Sequence, residues 1–161
     1  MPPQPGYLWT PGYWAFTGGF YRWHRGYWGL HVGYYGGINY GFGYFGDGFV
    51  GGMWHGGVFR YNTAVMNVNR TVIHNTYINK TVIINNRGSR ASFNGRGGIT
   101  RQPTGAERSY MNQRRIGATS AQTHYQTVAR NNRSQYFSSN HGVPQRAAVT
   151  HSNVTNRASA H

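Results

Sequence analysis

From residue 7 to residue 61 the apolar positions come in short aromatic bursts separated by glycine, not at the three-and-four spacing of a helix. Glycine at this density disfavours helix by about 1 kcal/mol per interior position relative to alanine. The pattern therefore predicts short strands joined by tight turns. Residues 62–100 read differently. NRTVIH at 69–74 recurs as NKTVII at 79–84, and β-branched residues dominate. Two strands are expected, about 68–75 and 77–85, with Asn supplying the turn between them. Residues 87–104 are rich in Gly, Arg and Ser and predict a loop. Helix signals begin only then. Thr104–Glu107 and Thr119–Gln122 fit capping boxes, so helices are expected near 105–114 and 120–131. In the second, Ala121, Tyr125, Val128 and Ala129 share one face. The tail from Asn140 to His161 has no period and is expected to be extended or disordered.

The predicted fold class is mainly β: a Gly/aromatic-rich meander of hairpins with a short α-helical, partly irregular C-terminal region. Its divisions are 1–61 for hairpin repeats, 62–86 for the strand pair, 87–104 for the loop and 105–161 for the basic helical region with its tail.

YLWTPGYW at 7–14 returns as YRWHRGYW at 21–28, an offset of 14. Read as local hairpins, Pro11-Gly12 and Arg25-Gly26 are the turns. Trp9 then opposes Trp14, Trp23 opposes Trp28, and Tyr7 and Leu8 oppose Phe16 and Ala15. A looser copy, MWHGGVF at 53–59, opposes Trp54 and Phe59 across Gly56-Gly57. Phe45 to Phe49 reads as another turn. Pro-Gly favours a type II turn, which splays a two-residue hairpin, so a longer loop with a bulge is the alternative. A single hairpin is unstable alone. Several in series, with flat edges poor in Lys, Glu and Pro, invite pairing with other chains. The aromatic residues expected to face an assembly partner or ligand are Tyr7, Trp9, Trp14, Tyr21, Trp23, Trp28, Trp54 and Phe59.

With Trp9-x-x-Gly12-x-Trp14 and Trp23-x-x-Gly26-x-Trp28 in place, the chain resembles the bacterial YXWGXW, or WXXGXW, repeat proteins. The likeness extends to GYYGGINYGFGYFGDGF at 33–49, WHGGVFRYNTAVMNVN at 54–69, SAQTHYQTVARNN at 120–132 and NHGVP at 140–144. It spans roughly residues 6–145. The resemblance implies an exported bacterial protein of the envelope or cell exterior with no assigned enzymatic activity. It supplies no catalytic residue to carry over.

Composition narrows the chemistry. Sixteen basic residues stand against two carboxylates, giving +14. Such a charge attracts polyanions such as nucleic acid or acidic polysaccharide. Arg22 and Arg25 are interleaved with Trp23 and Tyr27, and Arg96 lies in an RGG-like segment. With Arg60, Arg70, Lys80, Arg114 and Arg115 they form the candidate polyanion-facing set. Aromatic faces stack on bases or sugars while Arg engages phosphates; intramolecular cation–π pairing would use the same residues.

Asp47 and Glu107 lie on unlike segments, which argues against paired-carboxylate catalysis and a Ser-His-Asp triad. Gly41-x-Gly43-x-x-Gly46 matches a dinucleotide fingerprint literally, but no helix pattern follows it. His24, His31 and His55 could form a weak metal site only if the hairpins stack. The absence of Cys excludes disulfides and a cysteine nucleophile. No cofactor or metal is expected, and the expected partner is the chain itself. No run reaches the roughly 18 apolar residues of a spanning helix. The start, MPPQPG, lacks a basic and apolar leader. That suggests either a cytosolic protein or a start that is not the precursor's own, and the resemblance favours an extracytoplasmic one.

Overall fold

The computed structural model describes residues 2–83 and 91–141. The two YxWxxGxW copies do not fold as separate hairpins. They pair with each other. The strands are β1 (Leu8–Thr10), β2 (Tyr13–Thr17), β3 (Phe20–His24) and β4 (Tyr27–Gly29). β2 pairs antiparallel with β3 from Thr17↔Phe20 to Tyr13↔His24, and β1 pairs antiparallel with β4 from Thr10↔Tyr27 to Leu8↔Gly29. Both follow one register around Gly18-Gly19, whose φ values of 62° and 81° suit a type I′ turn. Residues 8–29 are thus one long hairpin, interrupted where Pro11-Gly12 passes Arg25-Gly26.

That crossing explains the motif glycines. A Cβ on Gly26 would lie 2.7 Å from the Thr10 carbonyl, 2.8 Å from the Gly12 nitrogen and closer still to the Trp9 ring. A Cβ on Gly12 would lie 2.7 Å from the His24 carbonyl, 2.9 Å from the Gly26 nitrogen and closer still to the Trp23 ring. The two environments mirror one another, so the copies are related by a local two-fold. Trp9 consequently faces Trp28, and Trp14 faces Trp23; each pair has ring centroids 5.3 Å apart, tilted by 56° and 55°. The expected pairings Trp9/Trp14 and Trp23/Trp28 are therefore replaced. The competing turn, Gly-Gly, matches the right-handed strand twist that Pro-Gly opposes.

The next elements are β5 (Asn39–Gly41), β6 (Tyr44–Phe45), β7 (Gly52–His55) and β8 (Val58–Asn62). β5 and β6 flank Phe42-Gly43, so the GxGxxG stretch is a hairpin, with no helix after it. β7 and β8 pair across Gly56-Gly57 with Trp54 opposite Phe59, as the sequence predicts. Residues 46–48 form a bend at the expected Phe45–Phe49 turn. The core lies in the irregular segment between β4 and β5, where Tyr35 and Ile38 are completely buried and Val32 and Tyr34 nearly so.

Beyond β8 the β-branched repeat forms little sheet. Among the described residues of 68–85 only β9 (Thr76–Tyr77) is a strand, parallel to β8. Asparagine is the cause. Asn69 Oδ1 accepts from Thr71 N, and Asn79 Oδ1 from Thr81 N, each at 3.0 Å. Each copy opens with an Asx turn; the first continues as a hydrogen-bonded turn at 70–72 and the second as a single turn of 3-10 helix at Thr81–Ile83. Local side-chain bonding thus competes successfully with strand propensity. Residues 84–86 lie outside the described residues.

The expected loop at 87–104 contains β10 (Phe93–Gly95), parallel to β2, with Phe93 buried. Helix α1 (Gly105–Met111) starts at a complete Thr104/Glu107 capping box. β11 (Ile116–Gly117) then pairs antiparallel with β4, and α2 (Ser120–Arg130) follows. The short α3 (Phe137–Asn140) was not foreseen, and most of the expected irregular tail, 142–161, lies outside the described residues. The structure is mainly β with several small sheets and short helices towards the C-terminus, the predicted class.

Candidate functional site

The local two-fold carries β1 onto β3 and β4 onto β2. The sheet orders β1-β4-β11 and β3-β2-β10 correspond, with Ile116 beside Trp28 and Phe93 beside Trp14. The two outer strands have different surroundings. On β1 and just beyond each of its ends, three backbone carbonyls are taken by aromatic side chains of the same chain. Trp54 Nε1 donates to Tyr7 O at 2.9 Å, Tyr44 OH to Trp9 O at 2.6 Å and Tyr40 OH to Gly12 O at 2.5 Å. Phenols and indoles suit this task because they bury large apolar area and still satisfy a carbonyl. Burial holds the phenols neutral, raising the Tyr35, Tyr40 and Tyr44 pKa values above the ordinary 10.0. For Tyr13, burial and the neighbouring Tyr34 and Tyr27 push it up to about 12.

Among the described residues β3 is the terminal strand of its sheet, and all five of its residues are exposed. Phe20 is 70% exposed, Tyr21 40% and Trp23 38%; Trp14 beside it is 36% exposed. The aromatic candidates therefore divide. Tyr7 is buried, and Trp9, Trp28, Trp54 and Phe59 are half-buried structural members. Trp28 also donates to Gln122 Oε1 at 2.9 Å, and that oxygen accepts from Thr119 N at 2.8 Å, which ties the start of α2 to the repeat. Trp14, Tyr21 and Trp23 converge on one exposed face, with Phe16 and Phe93 beneath them: Phe16–Tyr21 centroids are 4.8 Å apart and Tyr21–Phe93 5.4 Å. Phe20 belongs to this edge and was missed, because the Gly18-Gly19 turn that places it was not recognised.

Arg22, Arg25, Arg60, Arg70, Lys80, Arg96, Arg114 and Arg115 are all exposed, on separate sheets and loops. Arg115 lies over the Tyr27 ring at 5.0 Å. The decisive cation is one the sequence did not single out. Arg101 Nη2 contacts Asp47 Oδ1 at 2.7 Å and Glu107 Oε1 and Oε2 at 2.8 and 3.0 Å. Its guanidinium also lies 5.4 Å from the centre of the Tyr34 ring. Burial alone would lower its pKa, but hydrogen bonding and attraction to Glu107, then Asp47, together outweigh that and raise it. Both carboxylates of the chain thus belong to one clamp joining the 46–48 bend, the 99–104 segment and α1.

His24 stacks on Tyr13 at 4.5 Å, and His31 stacks on Tyr110 at 4.4 Å and meets Gln113 Oε1 at 3.1 Å. Among the described residues no group of three or more metal-ligating side chains comes together. Nor is any helix there long and apolar enough to cross a membrane. On α2, Ala121, Tyr125 and Val128 are exposed, and Gln122 ties the helix to Trp28.

Compared with known protein families, curated proteins and solved structures, the chain finds no match.

Proposed function

We propose that this chain is a non-enzymatic structural protein that assembles with copies of itself through the aromatic edge strand β3. One observation carries the reading. The two repeat copies build equivalent outer strands; the first is covered by its own chain's Tyr40, Tyr44 and Trp54, and the second is exposed at every position. An exposed edge rich in aromatic residues is a template for strand addition. The resemblance to the YXWGXW repeat proteins supports an extracytoplasmic setting, where such a protein would form a filament or surface layer.

Polyanion binding is the second reading, favoured by the Arg101 clamp. With Asp47 and Glu107 both on Arg101, no acidic side chain is left to pair with the exposed basic ones. Nucleic acid and acidic polysaccharide are the ligands it would take.

Salt separates the two. Polyanion affinity falls steeply with log salt, whereas aromatic edge pairing holds or strengthens as repulsion is screened. Negative-stain imaging with sedimentation velocity, at low and high salt, is the test. Oligomers or fibres at both support assembly. A monomer at all concentrations that shifts DNA only at low salt overturns it in favour of the second reading.

A further inference from the structure

The aromatic edge has a charge at its centre. β3 reads Phe20-Tyr21-Arg22-Trp23-His24, an aromatic ring on every side of one arginine. Its inner neighbour β2 sets a ring against three of these four, and Thr17 against Phe20. Phe16 meets Tyr21, Trp14 meets Trp23, and Tyr13 stacks flat on His24. Opposite Arg22 stands Ala15, which carries no charge.

An antiparallel pairing of β3 with the β3 of a second copy, centred on Arg22, offers almost the same set. Tyr21 would face the second copy's Trp23, and Trp23 its Tyr21. Phe20 and His24 would face each other in the same reciprocal way. Such a two-fold contact is self-complementary, as an isologous interface requires. The one mismatch is Arg22 opposite Arg22. Like charges directly opposed on a sheet are destabilising. The two acidic side chains do not relieve this pair, since Asp47 and Glu107 are both bound by Arg101.

We propose that a multivalent oxyanion, bridging the two Arg22 guanidinium groups, latches β3 to the β3 of a second copy. Guanidinium groups take phosphate, sulfate or carboxylate oxygens through paired hydrogen bonds. The anion supplies at this one position what Ala15 supplies within the chain, relief from repulsion, and adds a bridge. This deepens the assembly reading and rests on it. It also gives the basic surface a regulatory part in that assembly.

The test is sedimentation velocity of the full chain and of Arg22→Gln, in sodium pyrophosphate and in sodium chloride at matched ionic strength. Arg22 is exposed, so the substitution leaves the fold intact; an unchanged tryptophan circular dichroism signal verifies this. The wild type is expected to associate about fivefold or more tightly in pyrophosphate than in chloride. Arg22→Gln is expected to associate equally in both, about fivefold more tightly than the wild type in chloride. If both proteins associate alike in both salts, the latch is overturned while the assembly reading stands. A pyrophosphate response that survives in Arg22→Gln also overturns it, because the anion then acts elsewhere. If neither protein associates in either salt, the assembly reading itself falls.

Discussion

Replacing Gly26 by alanine probes the crossing of the two repeats directly. The new methyl would meet the Gly12 nitrogen at 2.8 Å and the Thr10 carbonyl at 2.7 Å, where ordinary contact begins near 3.4 Å. The strands must therefore part by about 0.6 Å. The Trp9 ring lies closer still, and the other two obstacles are backbone atoms that no side-chain rotation can move. Overpacking of this kind costs about 1–3 kcal/mol, and a backbone clash belongs at the upper end. Gly12→Ala meets the mirrored set, so the two single variants should lose stability equally, to within about 0.5 kcal/mol. The double variant should lose less than their sum, because parting the strands once relieves both clashes. Urea denaturation followed by tryptophan fluorescence measures all three. Gly18 is the control: its surroundings are open and its φ is 62°, so Gly18→Asn should be nearly neutral. If Gly26→Ala matched or exceeded wild-type stability, the close crossing would be refuted. A Gly12→Ala loss unaccompanied by one at Gly26 would refute it too, since that is the behaviour of an isolated Pro-Gly turn.

Other outcomes follow from the same structure. Asn62 is buried; its Nδ2 donates to Val50 O and Asn79 O, and its Oδ1 accepts from Ala64 N and Asn79 N. Asn62→Leu should orphan those groups and cost about 3 kcal/mol or more in denaturant titration. The buried phenols favour the neutral form, so their contribution is complete below pH 10 and is lost as pH rises towards their raised folded values. Ultraviolet titration should show a fraction of the thirteen tyrosines ionising in a steep step that coincides with unfolding, whereas complete titration without such a step would refute that burial. Glu107→Gln should remove both the Arg101 pair and the charged half of the α1 capping box, lowering stability by about 1–3 kcal/mol, with local hydrogen exchange at 104–111 the readout. Gln122→Ala should loosen α2 in hydrogen exchange without altering the circular dichroism of the Trp14–Trp23 pair.

The readable parts of the sequence were those where local chemistry and tertiary structure agree. Gly56-Gly57 between Trp54 and Phe59, and the capping boxes at Thr104 and Thr119, needed no distant partner. The repeat pairing was ambiguous for an arithmetical reason. Two tryptophans five apart, copied at an offset of 14, oppose each other either within a copy or between copies. The choice rests on which glycine turn is used, and Gly18-Gly19 carries the stronger hairpin signal. Residues 68–85 misled because β-branched propensity was weighed above the Asn-x-Thr spacing that makes Asx turns. The Tyr34–Ile38 core segment has no period to detect, and Arg101 looks like any other arginine until the fold brings Asp47 and Glu107 to it.

The crossed hairpin decides which strand is left at the edge, so its pairing is the claim to test first. Nuclear Overhauser contacts among the five indoles test it most directly. Contacts of Trp9 with Trp28 and of Trp14 with Trp23, and none of Trp9 with Trp14, are predicted from the 5.3 Å ring separations. Contacts of Trp9 with Trp14 and of Trp23 with Trp28 would contradict the pairing, and with it the exposed edge on which assembly depends.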